Sequence, residues 1–389
     1  MRWTLNALRR FRHYGLGVAM ISARGLLASP GYQIDVWRAD EGLPQGTVTS
    51  IAQTPDGYLW LGTQNGLVRF DGVRFQVFNE KNTPAINNNR IVQLFVDQQG
   101  TLWAGAERGS MVGVQNGAFV AYEMPGFGTT FNYARVFCDD AEGRLWVVSC
   151  EWQLMRLARG VRSVLSTNWG LSGPTSVAGD RSGQVYIGTE RELATTQNGR
   201  FQIAWSQADE KDFRVEFLAP SSAGGCWVSG NGRLRRFDAG QRAADLGVYA
   251  WTNSPIYGLH EDHQHRLWVA TLGSGLFRYN PDGTVLHLTT KDGLPTDFVR
   301  CVKEDREGNI WAGTEGGLMP VEAGDFRNAG HSSRVVLGPG AIGLRSCGWQ
   351  LLDWHERKRA GPLDAGSGGT LWSASGFAER PCLVGGSGF

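Results

Sequence analysis

The chain has 389 residues, of which 41% are hydrophobic, and it contains 54 Gly and 15 Trp. Its 38 Lys and Arg residues nearly balance 37 Asp and Glu residues, which argues against nucleic-acid binding through a strong positive field. Many glycines with regularly placed aromatic residues are typical of short strands joined by tight turns. The six cysteines show no CxxC pair and no metal-ligand spacing, so we expect no structural disulfide, no metal and no cofactor.

Residues 1–30 have the order of a secretory signal. Four arginines within the first twelve residues precede a mildly apolar stretch, residues 14–23, and small residues precede Pro30. This order predicts export to the periplasm; the alternative, a disordered start, would leave the protein in the cytoplasm. No stretch reaches the roughly 18–20 apolar residues that a membrane-spanning helix needs, so we expect no membrane span in this chain.

Seven copies of a short motif follow, each centred on a large aromatic residue that we interpret as a packing anchor between blades. The anchors are Trp60, Trp103, Trp146, Tyr186, Trp227, Trp268 and Trp311, spaced 40 to 43 residues apart. A period of roughly 40–45 residues is the length of one four-stranded propeller blade. Three residues before the anchor stands Gly, except for His265, and we expect a hairpin with positive φ there.

The repeats predict an all-β fold, a seven-bladed β-propeller of four-stranded antiparallel blades over residues 31–324. The seventh repeat supplies three strands up to about Val321 and no obvious fourth. One strand-like segment, Tyr32–Trp37, precedes the first repeat. We infer that this N-terminal strand completes the seventh blade and closes the ring, which leaves no unpaired seam.

The repeat pattern stops after about Asp325. Residues 325–389 carry scattered Gly, Ser and Arg with no sustained alternation, and Gly369–Ser373 is an isolated anchor-like motif. This composition predicts an irregular tail, either disordered or read in a shifted frame.

A longer motif recurs in the first and last repeats. Asp40–Val48 leads into Gly57–Thr63, and Asp292–Val299 leads into Gly308–Thr314. These segments resemble the two-component regulator propeller repeat of bacterial sensor proteins. The resemblance implies a periplasmic sensor module of the kind that precedes a histidine kinase or diguanylate cyclase. This sequence shows no kinase or cyclase motif, so we expect an input domain without its output domain, and any dimerisation through regions absent from this chain.

Candidate ligand contacts lie in two sets of loops that should meet at one mouth of the central channel. The loops before the first strands contribute Asn89, Arg90, Asn132, Tyr133, Arg214 and Asp297. The loops between second and third strands contribute Gln64, Asn65, Glu107, Arg108, Glu151, Trp152, Glu190, Arg191 and Glu315. Aromatic rings with guanidinium, amide and carboxylate groups suit a small polar ligand, for example a carbohydrate.

The segment His260–His265 contains three His and two carboxylates and suggests a metal site. The repeat alignment instead places His263 and His265 in a hairpin, where a solvated polar turn is expected. We identify no catalytic residues. The sequence favours a ligand-binding sensory module, and the alternatives are a propeller-scaffold lyase or hydrolase acting on a glycan, and a protein-interaction platform.

Overall fold

The computed structural model describes residues 36–107, 109–123, 136–148, 153–158, 161–165, 171, 173–197, 200–251 and 254–321. These residues form 27 strands in seven antiparallel sheets, arranged as the seven blades of a β-propeller. Two short 3-10 helices, Ala39–Glu41 and Thr290–Asp292, precede the first strands of blades 1 and 7. The predicted fold class is confirmed, whereas the predicted signal and tail, residues 1–30 and 325–389, lie outside the described residues.

Each blade is a meander whose strands pair in chain order. Blade 1 contains β1 (Val48–Gln53), β2 (Leu59–Thr63), β3 (Gly66–Phe70) and β4 (Phe75–Phe78). Blade 2 contains β5 (Ile91–Val96), β6 (Leu102–Ala106), β7 (Ser110–Gln115) and β8 (Ala118–Glu123). Blade 3 contains β9 (Val136–Asp139), β10 (Leu145–Val148), β11 (Leu154–Ala158) and β12 (Val161–Val164). Blade 4 contains β13 (Pro174–Gly179), β14 (Val185–Thr189), β15 (Glu192–Gln197) and β16 (Arg200–Ser206).

Blades 5 to 7 continue the same order. Blade 5 contains β17 (Phe217–Pro220), β18 (Cys226–Gly230), β19 (Arg233–Asp238) and β20 (Gln241–Val248). Blade 6 contains β21 (Ile256–Glu261), β22 (Leu267–Thr271), β23 (Leu276–Tyr279) and β24 (Val285–Leu288). Blade 7 contains β25 (Val299–Glu304), β26 (Ile310–Thr314) and β27 (Gly317–Val321). The first strands of neighbouring blades pack against each other, and β25 packs against β1, so the ring is closed around a central channel.

The hydrophobic core is divided among the seven seams between blades. Each anchor residue packs with core residues of the following blade, and Trp311 of blade 7 packs with those of blade 1. Trp268 and Trp311 are fully buried. Small residues two positions after the anchor allow this approach, because a Cβ on Gly313 would lie only 2.7 Å from Cγ1 of Val48 in blade 1. The anchors therefore lie at the seams between blades.

An aspartate carboxylate fixes the anchor in four blades. The indole Nε1 of Trp103, Trp146, Trp268 and Trp311 donates to the Asp six residues earlier, at 2.7–2.8 Å. The same Asp accepts a backbone N–H from the hairpin that joins the first two strands, as Asp262 does from Arg266. One acidic side chain therefore holds both the turn and the anchor.

Blade 5 departs from this arrangement because Ser221 stands where blades 2, 3, 4, 6 and 7 have Asp. In blade 1 the position is Thr54, whose hydroxyl accepts the indole N–H of Trp60 at 2.9 Å. The indole of Trp227 instead donates across the seam to Glu261 of blade 6, at 2.6 Å. The backbone N–H of Ser222 donates to the same carboxylate at 3.1 Å. Glu261 therefore joins blades 5 and 6 by hydrogen bonds that supplement their shared apolar core.

The ring closes through Trp37. Its backbone N–H donates to the carbonyl of Leu318 in β27, at 2.9 Å, and its carbonyl accepts the N–H of Leu318 at 3.0 Å. The Trp37 ring packs 5.5 Å from Trp311 and 5.3 Å from Phe70. The predicted N-terminal closing strand is confirmed at Trp37, while residues 32–35 lie outside the described part of the chain.

Candidate functional site

A β-bulge near the start of the first strand directs one side chain into the channel in five of the blades. The pairing register shifts at Thr49, Val92, Thr175, Tyr257 and Arg300, each of which is left unpaired between two paired neighbours. Each of these residues stands eleven positions before its anchor. Because an extra residue in one strand re-aims a side chain, the bulge provides a repeated position at which the blade can present any residue type to the channel.

The bulged residues share one cavity. A space of about 590 Å³ at the channel mouth is lined by all five of them and by Glu216, which occupies the same position in blade 5. We call this space the channel cavity. The third-blade counterpart, residue 135, lies outside the described residues. A hydroxyl, an aliphatic group, a carboxylate, a phenol and a guanidinium thus face one space from six blades.

Two ion pairs set the charge around the channel cavity. Arg90 Nε lies 2.8 Å from Glu107 Oε1, and both residues line the cavity. Arg300 Nη2 lies 2.5 Å from Glu315 Oε1, and its guanidinium carbon lies 5.7 Å from the ring centre of Tyr257. Tyr257 is 45% exposed. The cavity therefore offers forked donors, carboxylate acceptors and an accessible ring face, a set that can recognise hydroxyl-rich ligands.

A second space, of about 480 Å³, lies beside the channel cavity and shares part of its wall, including Glu216. We call it the side groove. Its wall includes Tyr249 and Trp251, whose rings stack 4.5 Å apart at an interplanar angle of 5°. Arg214 Nη2 lies 2.5 Å from Glu216 Oε1, and the Tyr249 hydroxyl donates to Glu216 Oε2 at 3.2 Å. Burial raises the pKa of Tyr249 above its ordinary value, and the Glu216 carboxylate raises it further, so the phenol stays protonated as a donor.

The structure brings part of the predicted mouth together. Arg90, Gln64 and Glu107 line the channel cavity, and Glu190 and Arg214 line the side groove. Both predicted loop sets therefore contribute to these spaces. Whether these residues bind a ligand stays a prediction.

Other predicted residues lie in the same loops but line neither space. Asn89 accepts the backbone N–H of Glu80 at 2.8 Å, and Asp297 accepts that of Thr290 at 2.7 Å, so both side chains order their own loops. Glu315 pairs with Arg300, Asn65 donates to a backbone carbonyl, and Arg191 is exposed. The remaining candidates lie outside the described residues; they are Arg108, Asn132, Tyr133, Glu151 and Trp152.

Sequence reasoning did not single out five residues that line the two spaces, namely Glu216, Tyr249, Trp251, Tyr257 and Arg300. Three of them, Glu216, Tyr257 and Arg300, occupy the position eleven residues before the anchor. A comparison of that column across repeats would have found them.

The segment His260–His265 lies at the other end of β21, away from the mouth. His263 and His265 are in the hairpin, and φ at His265 is +61°, the conformation that glycine adopts in the other repeats. The backbone N–H of His263 donates to Glu304 of blade 7 at 2.9 Å. Burial and the nearby Lys303 hold the pKa of His260 well below its ordinary value, so this imidazole is uncharged at neutral pH.

Ser222, His265 and Glu261 come together at the seam between blades 5 and 6. Ser222 Oγ lies 2.7 Å from His265 Nδ1, and Glu261 Oε1 lies 3.2 Å from the same nitrogen. A hydrolytic triad needs the serine and the carboxylate on different ring nitrogens, so this arrangement is not that of a triad. Across the residues described, no group of three or more His, Cys, Asp and Glu is placed to hold a metal ion.

Comparison with known proteins defines the repeat. A sequence profile described as two component regulator propeller matches residues 42–65 and 293–316, the two segments that lead into anchors Trp60 and Trp311. The chain carries two component regulator propeller repeats. No curated protein matches the sequence.

Solved structures share the fold of these propeller repeats. The extracellular domain of a hybrid two component system of B. thetaiotaomicron superposes with a TM-score of 0.62 at 19% identity, covering 75% of this chain and 41% of that chain. A second such domain superposes with a TM-score of 0.59 at 22% identity, covering 75% of this chain and 40% of that chain. The chain thus spans about two fifths of the length of these extracellular domains. A virginiamycin B lyase from Staphylococcus aureus superposes with a TM-score of 0.59 at 11% identity, covering 71% of this chain and 94% of that chain.

These likenesses, all below 25% identity, establish the fold alone. The two component regulator propeller repeats, in the first and last blades, agree with that fold. None of the helices in the described residues is both long and apolar enough to cross a membrane.

Proposed function

We propose that this propeller is the ligand-binding input module of an exported bacterial signal-transduction protein. Its ligand is a small polar molecule, for example a glycan fragment, that binds in the channel cavity. The observation that carries the proposal is that bulges in five blades, together with Glu216 at the matching position of blade 5, bring six side chains to a single space.

The charged groups of the channel cavity are arranged for binding. Its carboxylates at Glu107 and Glu216 are each paired with an arginine, at 2.8 Å and 2.5 Å. The ring of Tyr257 can cover the C–H face of a sugar, while Arg90 and Arg300 supply donors from blades 2 and 7. A ligand held in this way contacts blades on opposite sides of the channel.

Contacts with several blades offer a physical route to a signal. A ligand that bridges blades binds one arrangement of the blades more tightly than others. It therefore raises the population of that arrangement. The signal in this proposal is a change in the population of ring geometries, transmitted to regions beyond the propeller.

The test is calorimetric titration of the purified protein with neutral and charged oligosaccharides. The proposal expects saturable heat without product formation. It also expects a Tyr257→Ala variant to bind about fivefold to thirtyfold more weakly, since loss of a stacking ring is worth ~1–2 kcal/mol. The matched control is Phe298→Ala, because Phe298 is also 45% exposed but does not line the cavity. Product formation would favour the enzyme alternative, and no binding by any member of the panel would favour an interaction platform.

A further inference from the structure

The side groove has a different character from the channel cavity. Its charged residues are two carboxylates, Glu190 and Glu216, and one guanidinium, Arg214. The guanidinium and Glu216 neutralise each other at 2.5 Å. Glu190 is exposed and makes no hydrogen bond or ion pair in the described part of the chain. Counted over its described lining residues, the groove therefore has a formal net charge of −1, which Glu190 carries.

The aromatic wall of the groove also lacks a cation. Elsewhere the protein places its own guanidinium groups over aromatic rings, as Arg300 does over Tyr257 and Arg69 over Tyr58. No described arginine or lysine lies over Tyr249 or Trp251, although both rings line the groove. The faces of electron-rich rings attract cations, and the attraction grows when the site is partly shielded from water.

We propose that the side groove binds the ammonium group of an organic cation. The inference rests on the proposed function in one respect: it assigns to the ligand of that function an amino or alkylammonium group. The positive group lies against the ring of Tyr249, with Glu190 as its counter-charge. Trp251 does not itself contact the cation, since its ring is covered by Tyr249 and Phe277; it supports the Tyr249 ring. The Tyr249 hydroxyl keeps Glu216 turned toward Arg214, so the groove holds one uncompensated negative charge and not two.

Two other groups in the groove agree with this assignment. Ser254 Oγ and Ser274 Oγ lie 2.7 Å apart, and Ser254 lines the groove, so a hydroxyl pair is available beside the rings for a ligand N–H or O–H. Trp251 is 8% exposed and packs 4.7 Å from Phe277, so the wall is held rigid from behind. A rigid aromatic wall binds a cation without first losing conformational entropy.

The probe is choline, which carries a permanent positive charge, and its control is 3,3-dimethyl-1-butanol, which has the same shape without the charge. Ligand-observed NMR and calorimetry on the full chain measure both affinities. The expected result is that choline binds about tenfold more tightly than the alcohol, and that added salt weakens choline binding. Equal affinity for the two probes, or no choline binding, overturns the inference.

Variants locate the site without disturbing the fold. Glu190→Gln should weaken choline binding about threefold to fivefold, because it removes an exposed charge partner, and should leave thermal unfolding unchanged. Glu80→Gln is the matched control, since Glu80 is an exposed carboxylate in the loop between blades 1 and 2. Tyr249→Phe keeps the ring and should retain most of the binding. Equal weakening by both glutamine variants would contradict the assignment.

The outcome is separable from that of the proposed function. Binding of an oligosaccharide that depends on Tyr257, together with no choline binding, refutes the groove assignment alone. Choline binding that depends on Glu190, with no oligosaccharide bound, supports the groove and refutes the glycan class.

Discussion

The guanidinium of Arg300 lies 5.7 Å from the ring centre of Tyr257, although the two residues belong to different blades. Both occupy the bulge at the start of a first strand, and both line the channel cavity. The pair shows how neighbouring bulges combine into one recognition surface. The ring gains a cationic neighbour, and the guanidinium is held by Glu315 with part of its surface still facing the cavity.

The first prediction concerns this pair. Arg300→Ala should weaken binding of a cavity ligand by about tenfold, because charge-assisted hydrogen bonds contribute roughly 1.5–3 kcal/mol each. Arg300→Lys keeps the charge without the forked donors, so its affinity should lie between those of the parent and Arg300→Ala. Calorimetry measures the loss. Arg191→Ala removes an exposed arginine of the mouth loops that lines neither space, and a comparable loss in that variant would contradict the prediction.

The second prediction concerns Asp262, which receives Trp268 Nε1 at 2.7 Å and Arg266 Nε at 2.6 Å. Its side chain is fully buried. Asp262→Ala should destabilise the protein by about 3–5 kcal/mol, because it leaves a buried guanidinium and an indole N–H unpaired. Urea denaturation measures the change. Asp282→Ala, at an exposed turn carboxylate, is the control, and equal midpoints for the two variants would be evidence against the buried role.

The third prediction is a pH dependence at Glu261. Burial opposes ionisation of this carboxyl, but hydrogen bonds from Ser222 and Trp227 outweigh it and hold the pKa below its ordinary value. A lowered folded-state pKa stabilises the fold above the unfolded-state pKa, and that stability is lost as pH falls through the folded-state value. Glu261→Gln should therefore be less stable than the parent near pH 7 by about 1–2 kcal/mol.

The stability gap between the Glu261→Gln variant and the parent should shrink as the pH is lowered below about 4, where the carboxyl becomes protonated in both states. Thermal unfolding followed across this range measures the gap. A gap that stays constant with pH would show that the ionised form of Glu261 has no special role at the seam between blades 5 and 6.

The fourth prediction concerns ring closure. Trp37→Ala removes a ring that packs on Trp311 and Phe70, and it should lower the free energy of unfolding by about 3 kcal/mol. Trp37→Phe should recover part of this loss. Guanidinium denaturation provides the measurement, and Phe298→Ala serves as a control at an exposed aromatic residue. If Trp37→Ala is as stable as the parent, the backbone bridge to Leu318 closes the propeller without help from packing of the Trp37 indole.

The cores and hairpins could be predicted from the sequence because they repeat one chemistry at one period. Every anchor is a large aromatic residue, and each packs into the next blade. The turn position needs positive φ, and it has this conformation even at His265, where the sequence lacks the usual glycine. The hairpin needs a positive φ at this position in every blade, so the requirement is visible as one column of the repeat alignment.

The channel-facing residues escaped prediction for the opposite reason. Thr49, Val92, Glu216, Tyr257 and Arg300 share no property except position, and a search for similar residues passes over them. A bulge is also invisible to simple alternation, which assigns each side chain to one of two faces. Polar loop residues are ambiguous in another way, since Asp297 resembles a ligand contact but is used by its own loop.

The bulged position separates the residues that stabilise the fold from the residues that face the channel. The anchors, hairpins and glycines hold the ring together, while in five blades the residue eleven positions before the anchor leaves the hydrogen-bonded ladder and faces the channel. A substitution there changes what the channel offers and spares the seven cores. The propeller therefore combines variable channel-facing positions with a constant scaffold, and new binding specificity can be introduced one blade at a time.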